Sequence, residues 1–302
     1  MGEQASLAST GSTELEVASQ PACWRQAQEL AAQVAGLLPA SGERVAVAGC
    51  GTSWFMAQAY AAAREAAGHG ETDAFAASEM PVGRRYDRLV VLSRSGTTTE
   101  LVRLLTQLRG KILTLAITAQ ADSPVARAAD SVIELSFADE KSVVQTRFAT
   151  TELALLRTHL GHDIGPAAAA AERVLSEPIP AAMMAAHQFT FLGTGWTVGI
   201  ANEAALKLRE AAGMWAEAYP AMEYRHGPAA VTTPRSVVWL FGPLPPGLDK
   251  EIAAAGGVTW QSQEDPLAEL VRAQLLAATL ARARGLEPDR PRNLARSVIL
   301  TT

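Results

Sequence analysis

The clearest indication of the fold is the stretch Arg44-Val-Ala-Val-Ala-Gly49-Cys50-Gly51-Thr52-Ser53. A short apolar β run, Arg44–Ala48, ends in a glycine turn, and an Ala-rich helix is predicted to follow as far as Ala67. A second stretch, Gln188-Phe-Thr-Phe-Leu-Gly193-Thr-Gly195, has the same order, and its predicted helix runs over Trp196–Ala212. Two successive strand–turn–helix units predict a duplicated α/β unit.

Other landmarks recur in the same order in both halves. Arg64-Glu-Ala-Ala-Gly68 has the same residues as Arg209-Glu-Ala-Ala-Gly213. Ser78-Glu-Met80 falls at the position that Met222-Glu-Tyr224 occupies in the second half. One match can arise by chance in an Ala-rich chain, but three landmarks in one order favour duplication.

The remaining apolar runs alternate between strand and helix patterns. Short runs predict further strands at Asp73–Ala77, Leu89–Leu92, Ile112–Ile117, Val132–Leu135, Ser236–Phe241 and Val258–Gln261. Longer periodic runs predict helices over Trp24–Leu38, Val144–Leu160 and Pro266–Arg284. Such alternation predicts parallel, doubly wound sheets with right-handed crossovers. Residues 1–12 have the composition of a loose tail, and Gly165-Pro166 and Pro178–Pro180 flank an Ala-rich linking segment.

Composition and charge narrow the class of protein. The chain has 302 residues, 48% of them hydrophobic and 19% charged, as expected of a well-cored globular protein. Its net charge of −5 gives no general attraction for nucleic acid or anionic membrane, although local dipoles and hydroxyls can still bind a phosphorylated ligand. Cys23 and Cys50 form no disulfide framework. Since neither a signal peptide nor a membrane anchor is recognisable, we expect a cytoplasmic protein.

Two turns rich in hydroxyl groups each follow a predicted strand and precede a helix: Gly49–Ser53 and Ser93-Arg-Ser-Gly-Thr-Thr98. This arrangement brings backbone N–H groups and hydroxyls to helix N-termini, where the dipole favours an anion. Both turns are expected at the carboxyl edge of the sheet, where ligands bind. N-capping alone explains one such turn, whereas two favour a phosphate cradle. The glycine spacing matches neither a dinucleotide fingerprint nor a P-loop.

A second group of charged residues lies on the helix of the second half. Glu203, Lys207 and Glu210 are spaced i, i+4 and i+7, so they share one helix face. A solvated face is the commonest explanation of this spacing. The alanines and leucines between these positions leave little room for a wholly exposed helix.

The histidines give weaker signals. His226 precedes Gly227-Pro228, and a lone histidine in such a turn is more often structural than catalytic. His159 and His162 lie three residues apart without a convincing third ligand, so no metal site is predicted. No cofactor is expected either.

Together, these motifs resemble the sugar isomerase (SIS) family, in particular the isomerase portion of glucosamine-6-phosphate synthase and the amino-sugar-phosphate isomerases and deaminases. The resemblance covers about residues 20–302, and the joint order of its motifs is specific. They are Cys50–Ser53, Ser93–Thr98, Ser142-Val-Val-Gln-Thr-Arg147, Glu203–Glu210, Ala216-Glu-Ala-Tyr219, Glu223-Tyr-Arg-His-Gly-Pro228 and Arg290-Pro-Arg-Asn-Leu-Ala-Arg-Ser297.

The resemblance implies roles for individual residues. Glu210 matches the base that moves a proton between C1 and C2, and Lys207 matches a lysine that assists proton movement between the oxygens. His226 matches the ring-opening histidine, which enters from the neighbouring subunit of a homodimer. Glu223 and Arg296 would orient the substrate. The implied phosphate ligands are Ser53, Ser93, Ser95 and Thr98, with Thr52, Arg94 and Gln145 beside them.

Three departures from the family pattern affect these expectations. No N-terminal nucleophilic cysteine precedes the first unit, so we expect no glutamine-derived ammonia from this chain. Arg296 stands where the family has a lysine able to form an imine, and an arginine cannot do so. Arg94 replaces the usual glutamine of the phosphate turn, where it would add a cation for phosphate or reshape the sugar pocket.

The expected architecture is α/β, with two tandem doubly wound SIS units whose parallel sheets are flanked by helices. Residues 1–20 form a flexible tail and the start of the first helix, 21–168 the phosphate-binding unit and 169–302 the catalytic unit. The expected activity is aldose–ketose isomerisation or deamination of a hexosamine 6-phosphate or related sugar phosphate. Dehydration of an N-acylated amino-sugar 6-phosphate, or a deglycase reaction with the same base, is the alternative. A non-catalytic sugar-phosphate sensor is the third possibility.

Overall fold

The computed structural model describes residues 11–300. Nine strands lie within this range: β1 Val45–Gly49, β2 Thr72–Ala76, β3 Arg88–Ser93, β4 Leu113–Thr118, β5 Ser131–Glu134, β6 Gln188–Gly193, β7 Ala216–Pro220, β8 Ser236–Phe241 and β9 Val258–Gln261. The helices of the same range are α1 Ser12–Ala18, α2 Gln20–Val34, α3 Thr52–Ala66, α4 Thr99–Leu108, α5 Pro124–Ala128, α6 Arg147–His159, α7 Gly165–Ser176, α8 Ala181–Met184, α9 Thr197–Ala212, α10 Leu248–Ala254 and α11 Pro266–Ala283.

These strands form two parallel sheets that follow each other along the chain. The first has the order β2-β1-β3-β4-β5, and the second has the order β7-β6-β8-β9. In each sheet the first strand in sequence lies between the second and the third. All carboxyl ends within a sheet therefore point to one edge, which is where the glycine turns lie.

The same glycine arrangement follows the first strand of each sheet. A Cβ atom on Gly49 would lie 2.5 Å from the backbone of Ser53, and one on Gly193 would lie 2.3 Å from the backbone of Thr197. The strand and the following helix approach so closely at both places that only glycine fits. Gly51 and Gly195 follow with φ angles of 56° and 57°. The residue-level repeat is thus matched by a repeat of backbone geometry.

Helices α3 and α9 pack against each other and join the two sheets. Gly199 makes the approach possible, because a Cβ there would lie 2.4 Å from the carbonyl oxygen of Phe55. The largest apolar cluster is continuous through this contact and includes side chains from both sheets, among them Val47 of β1 and Phe191 of β6. The N-terminus of α3 is thereby held beside the C-terminal half of α9.

The structure contains elements that the sequence did not predict, including helices α8 and α10. Residues 165–176, predicted as a link, form helix α7, which also crosses the predicted unit boundary between residues 168 and 169. Strand β7 was not predicted. Helix α1 replaces the end of the predicted loose tail, because the Asp289 carboxylate accepts the N–H groups of Ser12 and Thr13. Residues 1–10 of that tail lie outside the described range. Between residues 11 and 300, the helices are too short or too polar to cross a membrane.

Candidate active site

A cavity of about 200 Å³ lies at the carboxyl ends of β1 and β3. Both hydroxyl-rich turns line it, together with Glu210 from α9 and a segment close to the C-terminus, residues 294–298. Helices α3 and α4 begin at this cavity, so two helix N-termini contribute unpaired N–H groups and positive dipole ends. The cavity therefore suits a negatively charged group.

Of the predicted phosphate-binding hydroxyls, Ser53, Ser93, Ser95 and Thr98 all line the cavity. Ser93 Oγ accepts the N–H of Gly96 at 3.1 Å, and Ser95 Oγ accepts the N–H of Thr97 at 3.3 Å. These bonds fix the turn while leaving the hydroxyl hydrogens available to a ligand. Within residues 11–300, the hydroxyls of Ser53 and Thr98 have no hydrogen-bond partner.

Gln145 and Thr52 also line the cavity, with different surroundings. The Nε2 atom of Gln145 is buried and has no hydrogen-bond partner among the described residues. An unpaired buried donor is costly, so Gln145 is suited to hold a ligand acceptor. Thr52, in contrast, donates its hydroxyl to Glu203 and accepts from Lys207, which links the first sheet to the second.

Arg94 also lines the cavity, and its guanidinium is held by other groups of the protein. Its Nη1 atom lies 3.4 Å from the Glu140 carboxylate and donates to the carbonyl of Ser142, and Nη2 donates to the carbonyls of Val143 and Arg296. Glu140 is fully buried, and pairing with Arg94 compensates its charge. Arg94 therefore has a structural role beside the cavity, and its expected contact with phosphate stays a prediction.

Glu203, Lys207 and Glu210 form a buried charged row on α9. Lys207 Nζ lies 3.2 Å from Glu203, 2.5 Å from Glu210 and 2.9 Å from the Thr52 hydroxyl. The side chains of Glu203 and Lys207 are 0% and 1% exposed, whereas that of Glu210 is 20% exposed at the cavity. The face that a solvated helix would turn to water is thus packed against α3.

Burial and charge act on this row in opposite directions. Burial raises the pKa of Glu203 to about 8, and the nearby Lys207 ammonium opposes the rise. For Lys207, burial lowers the pKa, but Glu203 and Glu210 outweigh it and raise the pKa overall. Lys207 therefore remains an ammonium and binds the carboxylate of Glu210. A carboxylate held in this way at a cavity can remove a proton from a carbon acid.

A segment near the C-terminus forms the remaining wall of the cavity. The N–H of Thr99 donates to the carbonyl of Val298, and the hydroxyl of Thr97 donates to Ser297. The guanidinium of Arg296 contacts Asp139 at 2.5 Å, outside the phosphate turns, although Arg296 still lines the cavity. The sequence motif Arg290–Ser297 lies mostly in this segment. Local patterns did not indicate that the segment would contact the hydroxyl-rich turn Ser93–Thr98.

His226 and Glu223 are not brought to this cavity. Both lie on an exposed 3-10 helix, Glu223–His226, on the second-sheet side of the chain. Neither side chain has a hydrogen-bond or ion-pair partner among residues 11–300. Of the proposed catalytic residues, the cavity thus gathers Glu210 directly and Lys207 through its contact with Glu210.

Both hydroxyl-rich turns of the cavity lie within residues 40–157, which match a known protein family, the SIS domain. This part of the chain is a SIS domain. The SIS match also contains Gln145, whereas Lys207 and Glu210 lie after its last residue.

Curated relatives extend the similarity beyond the SIS match. The chain is 30% identical to glutamine–fructose-6-phosphate aminotransferase (isomerizing) from Streptomyces coelicolor, over 72% of this chain and 45% of that protein. It is 26% identical to the enzyme of the same name from Pyrobaculum aerophilum, over 91% of this chain and 56% of that protein. The chain therefore spans about half the length of the curated relatives it matches.

A solved structure shows the same fold over nearly the whole chain. The glucosamine-6-phosphate deaminase from Thermotoga maritima has a TM-score of 0.79 at 24% identity, covering 96% of this chain and 100% of that chain. This similarity establishes the arrangement of two parallel sheets flanked by helices, and at such identity it establishes the fold alone.

Proposed function

We propose that the chain is a sugar-phosphate isomerase or deaminase that acts by proton transfer next to a carbonyl. The cavity carries this proposal, because it combines an anion cradle with the carboxylate of Glu210. A 6-phosphate held by the hydroxyl turns would leave C1 and C2 of the opened sugar toward Glu210. The relatives named for reactions of sugar phosphates support the same substrate class.

In this reaction, Glu210 takes the proton from the carbon next to the carbonyl and returns it to the neighbouring carbon. Lys207, in contact with Glu210 and Thr52, stabilises negative charge as the enediol-type intermediate forms. Because Lys207 is buried beside Glu203, its positive charge is held on α9 and away from water. Return of the proton to the neighbouring carbon, with movement of the hydroxyl proton between the two oxygens assisted by Lys207, gives the aldose–ketose product. With a 2-amino sugar the same proton transfer gives an imine at C2, which water hydrolyses to release ammonia.

We further propose that His226 opens the sugar ring in the site of a partner subunit. Its exposed position, away from the cavity of its own chain, agrees with a role in another copy. Three exposed apolar side chains, Trp215, Met222 and Val231, lie near it in the sequence, with exposures of 74%, 56% and 51%. Exposed apolar residues of this size favour a homodimer interface in this region.

We infer that residues 169–302 are a second SIS unit, which gives the tandem architecture expected from the sequence. The first four strands of the first sheet have the same order as the four strands of the second, which supports this division. The equivalent close approaches at Gly49 and Gly193 also support it. In this arrangement the first unit holds phosphate, and the second contributes the base.

Deuterium exchange tests the proposed activity. The protein is incubated in deuterated water with glucosamine 6-phosphate or fructose 6-phosphate, and the products are followed by NMR. We expect deuterium at C1 or C2, with ketose or ammonia as product. Substitution of Glu210 by Gln removes the base, so exchange should fall by about 10²-fold or more while the sugar phosphate still binds.

Glu65 provides a matched control, because it occupies in Arg64–Gly68 the position that Glu210 occupies in the repeated motif. Glu65→Gln should keep the exchange rate of the unaltered protein. Unchanged exchange in Glu210→Gln would refute the assignment of the base. Loss of water from N-acetylglucosamine 6-phosphate, without deuterated ketose from the other sugars, would instead identify a dehydratase.

A further inference from the structure

A second, larger cavity of about 620 Å³ lies on the other side of Glu210. Its wall includes four arginines, Arg209, Arg284, Arg290 and Arg292, and only two acidic residues, Glu210 and Glu287. Since Glu210 is already paired with Lys207, the cavity has an excess of positive charge in a chain whose net charge is −5.

The four arginine side chains differ in their hydrogen-bond partners. Arg209 donates to the carbonyl of Ala216, and Arg284 donates to the carbonyl of Ala212 at the end of α9. In the part of the chain that the structure describes, the guanidinium groups of Arg290 and Arg292 have neither an ion pair nor a hydrogen bond. Two exposed guanidinium groups therefore remain free to bind an anion with their forked donors.

Two features connect this cavity to the one that holds the phosphate turns. Glu210 lines both, and so does the segment near the C-terminus, with residues 290–293 in the arginine cavity and 294–298 in the phosphate cavity. Asn293 has a φ of 62°, so the backbone turns where the segment passes from one cavity to the other. A ligand that spans Glu210 would reach both.

We propose that the arginine cavity binds a carboxylate carried by the substrate, on a substituent at C1 or C2 of the sugar. This inference rests on the proposed function, in which the 6-phosphate occupies the first cavity and C1 and C2 lie at Glu210. A substituent on these carbons points away from the phosphate and toward Arg290 and Arg292. The preferred substrate is then a sugar phosphate with an acid group at its other end, such as an amino-acid conjugate.

Binding of unreactive conjugates tests this assignment. Reductive amination of glucose 6-phosphate with glycine gives a conjugate without a carbonyl, which cannot turn over, and glycinamide gives its matched neutral partner. Glucitol 6-phosphate reports on the phosphate cavity alone, and glucitol 1,6-bisphosphate offers a second phosphate in place of the carboxylate. Calorimetric titration of the whole chain gives the Kd of each. We expect the glycine conjugate to bind about tenfold or more tightly than the glycinamide conjugate.

The double variant Arg290→Ala/Arg292→Ala should abolish this difference between the two conjugates. Arg85→Ala is a control for the loss of an exposed arginine. Arg85 lies in the loop before β3, at the opposite end of that strand from the site, and its substitution should preserve the difference. The glycine–glycinamide comparison in the unaltered protein needs no substitution, so it decides the question even if the double variant folds poorly.

Each other outcome overturns the inference in a recognisable way. Equal affinity for the two conjugates, with normal binding of glucitol 6-phosphate, refutes the carboxylate site and leaves the phosphate cradle intact. Tighter binding of the bisphosphate alone refutes the carboxylate and assigns a second phosphate. Failure to bind glucitol 6-phosphate removes the proposed function, and the inference falls with it.

Discussion

Replacing Lys207 with Met should destabilise the protein by an amount that depends strongly on pH. Lys207 is 1% exposed and contacts Glu203, Glu210 and Thr52 within 3.2 Å. Its loss leaves the fully buried Glu203 without a cation, and removing one partner of a buried pair costs about 3–5 kcal/mol. At about pH 8.5 we therefore expect a loss of about 3 kcal/mol in the free energy of unfolding.

The sign of the pH dependence follows from the raised pKa of Glu203. A group whose pKa is higher in the folded protein stabilises it fully below the unfolded value, and this contribution is lost as the pH rises through about 8. Lys207 opposes the rise, so the loss is larger without it. At about pH 5.5 Glu203 is largely protonated in the unaltered protein and in Lys207→Met. The substitution then lowers the free energy of unfolding by only about 1–2 kcal/mol, from lost hydrogen bonds.

Urea unfolding followed by tryptophan fluorescence measures both values. The double variant Glu203→Gln/Lys207→Met removes the stranded carboxyl group as well as the cation, so at about pH 8.5 it should be about 2 kcal/mol more stable than Lys207→Met alone. An equal loss at the two pH values would refute the reasoning. So would a double variant that is no more stable than the single one.

Two further substitutions test the contacts that position the site. Gly199→Ala places a Cβ 2.4 Å from the carbonyl oxygen of Phe55 and should lower the free energy of unfolding by about 1–3 kcal/mol, measured by thermal unfolding. Gly36→Ala is the control, because nothing lies within 4 Å of a Cβ there, and it should change the free energy of unfolding by about 0.5 kcal/mol or less. Arg94→Met leaves Glu140 buried without its cation and should cost about 3 kcal/mol in urea unfolding; a large loss of sugar-phosphate affinity at unchanged stability would contradict this structural role.

Much of the fold could be predicted from local pattern. Strands β1 and β6 are apolar runs that end in glycine turns, and the close approaches at Gly49 and Gly193 explain why those glycines occur there. Strand β7 was missed because Ala216-Glu-Ala-Tyr-Pro220 has little strand propensity and is held by pairing with β6. Helix α7 was missed because its Gly165-Pro166 start was interpreted as a break, although proline is favoured in a first helical turn.

Local patterns predicted some features of the candidate site, whereas others depend on contacts between residues that are far apart in the sequence. The i, i+4, i+7 spacing of Glu203, Lys207 and Glu210 correctly placed them on one helix face. The burial of this face depends on the packing of α3 on α9. That packing brings Thr52, which lies 155 positions before Lys207, into contact with Lys207. The direction of Arg94 was likewise unpredictable, because Glu140, the buried charge that it neutralises, follows a different strand.

The arginine at position 296 limits the chemistry available to the site. Where the resembled family has a lysine able to form an imine, this side chain is an always-charged guanidinium paired with Asp139. No neutral amine from that position can attack the sugar carbonyl. In the proposed reaction, proton transfer is assigned to Glu210 and Lys207, and ring opening is assigned to His226 of a second copy. Activity should consequently survive Arg296→Ala far better than Glu210→Gln, since only the latter removes a group that handles the transferred proton.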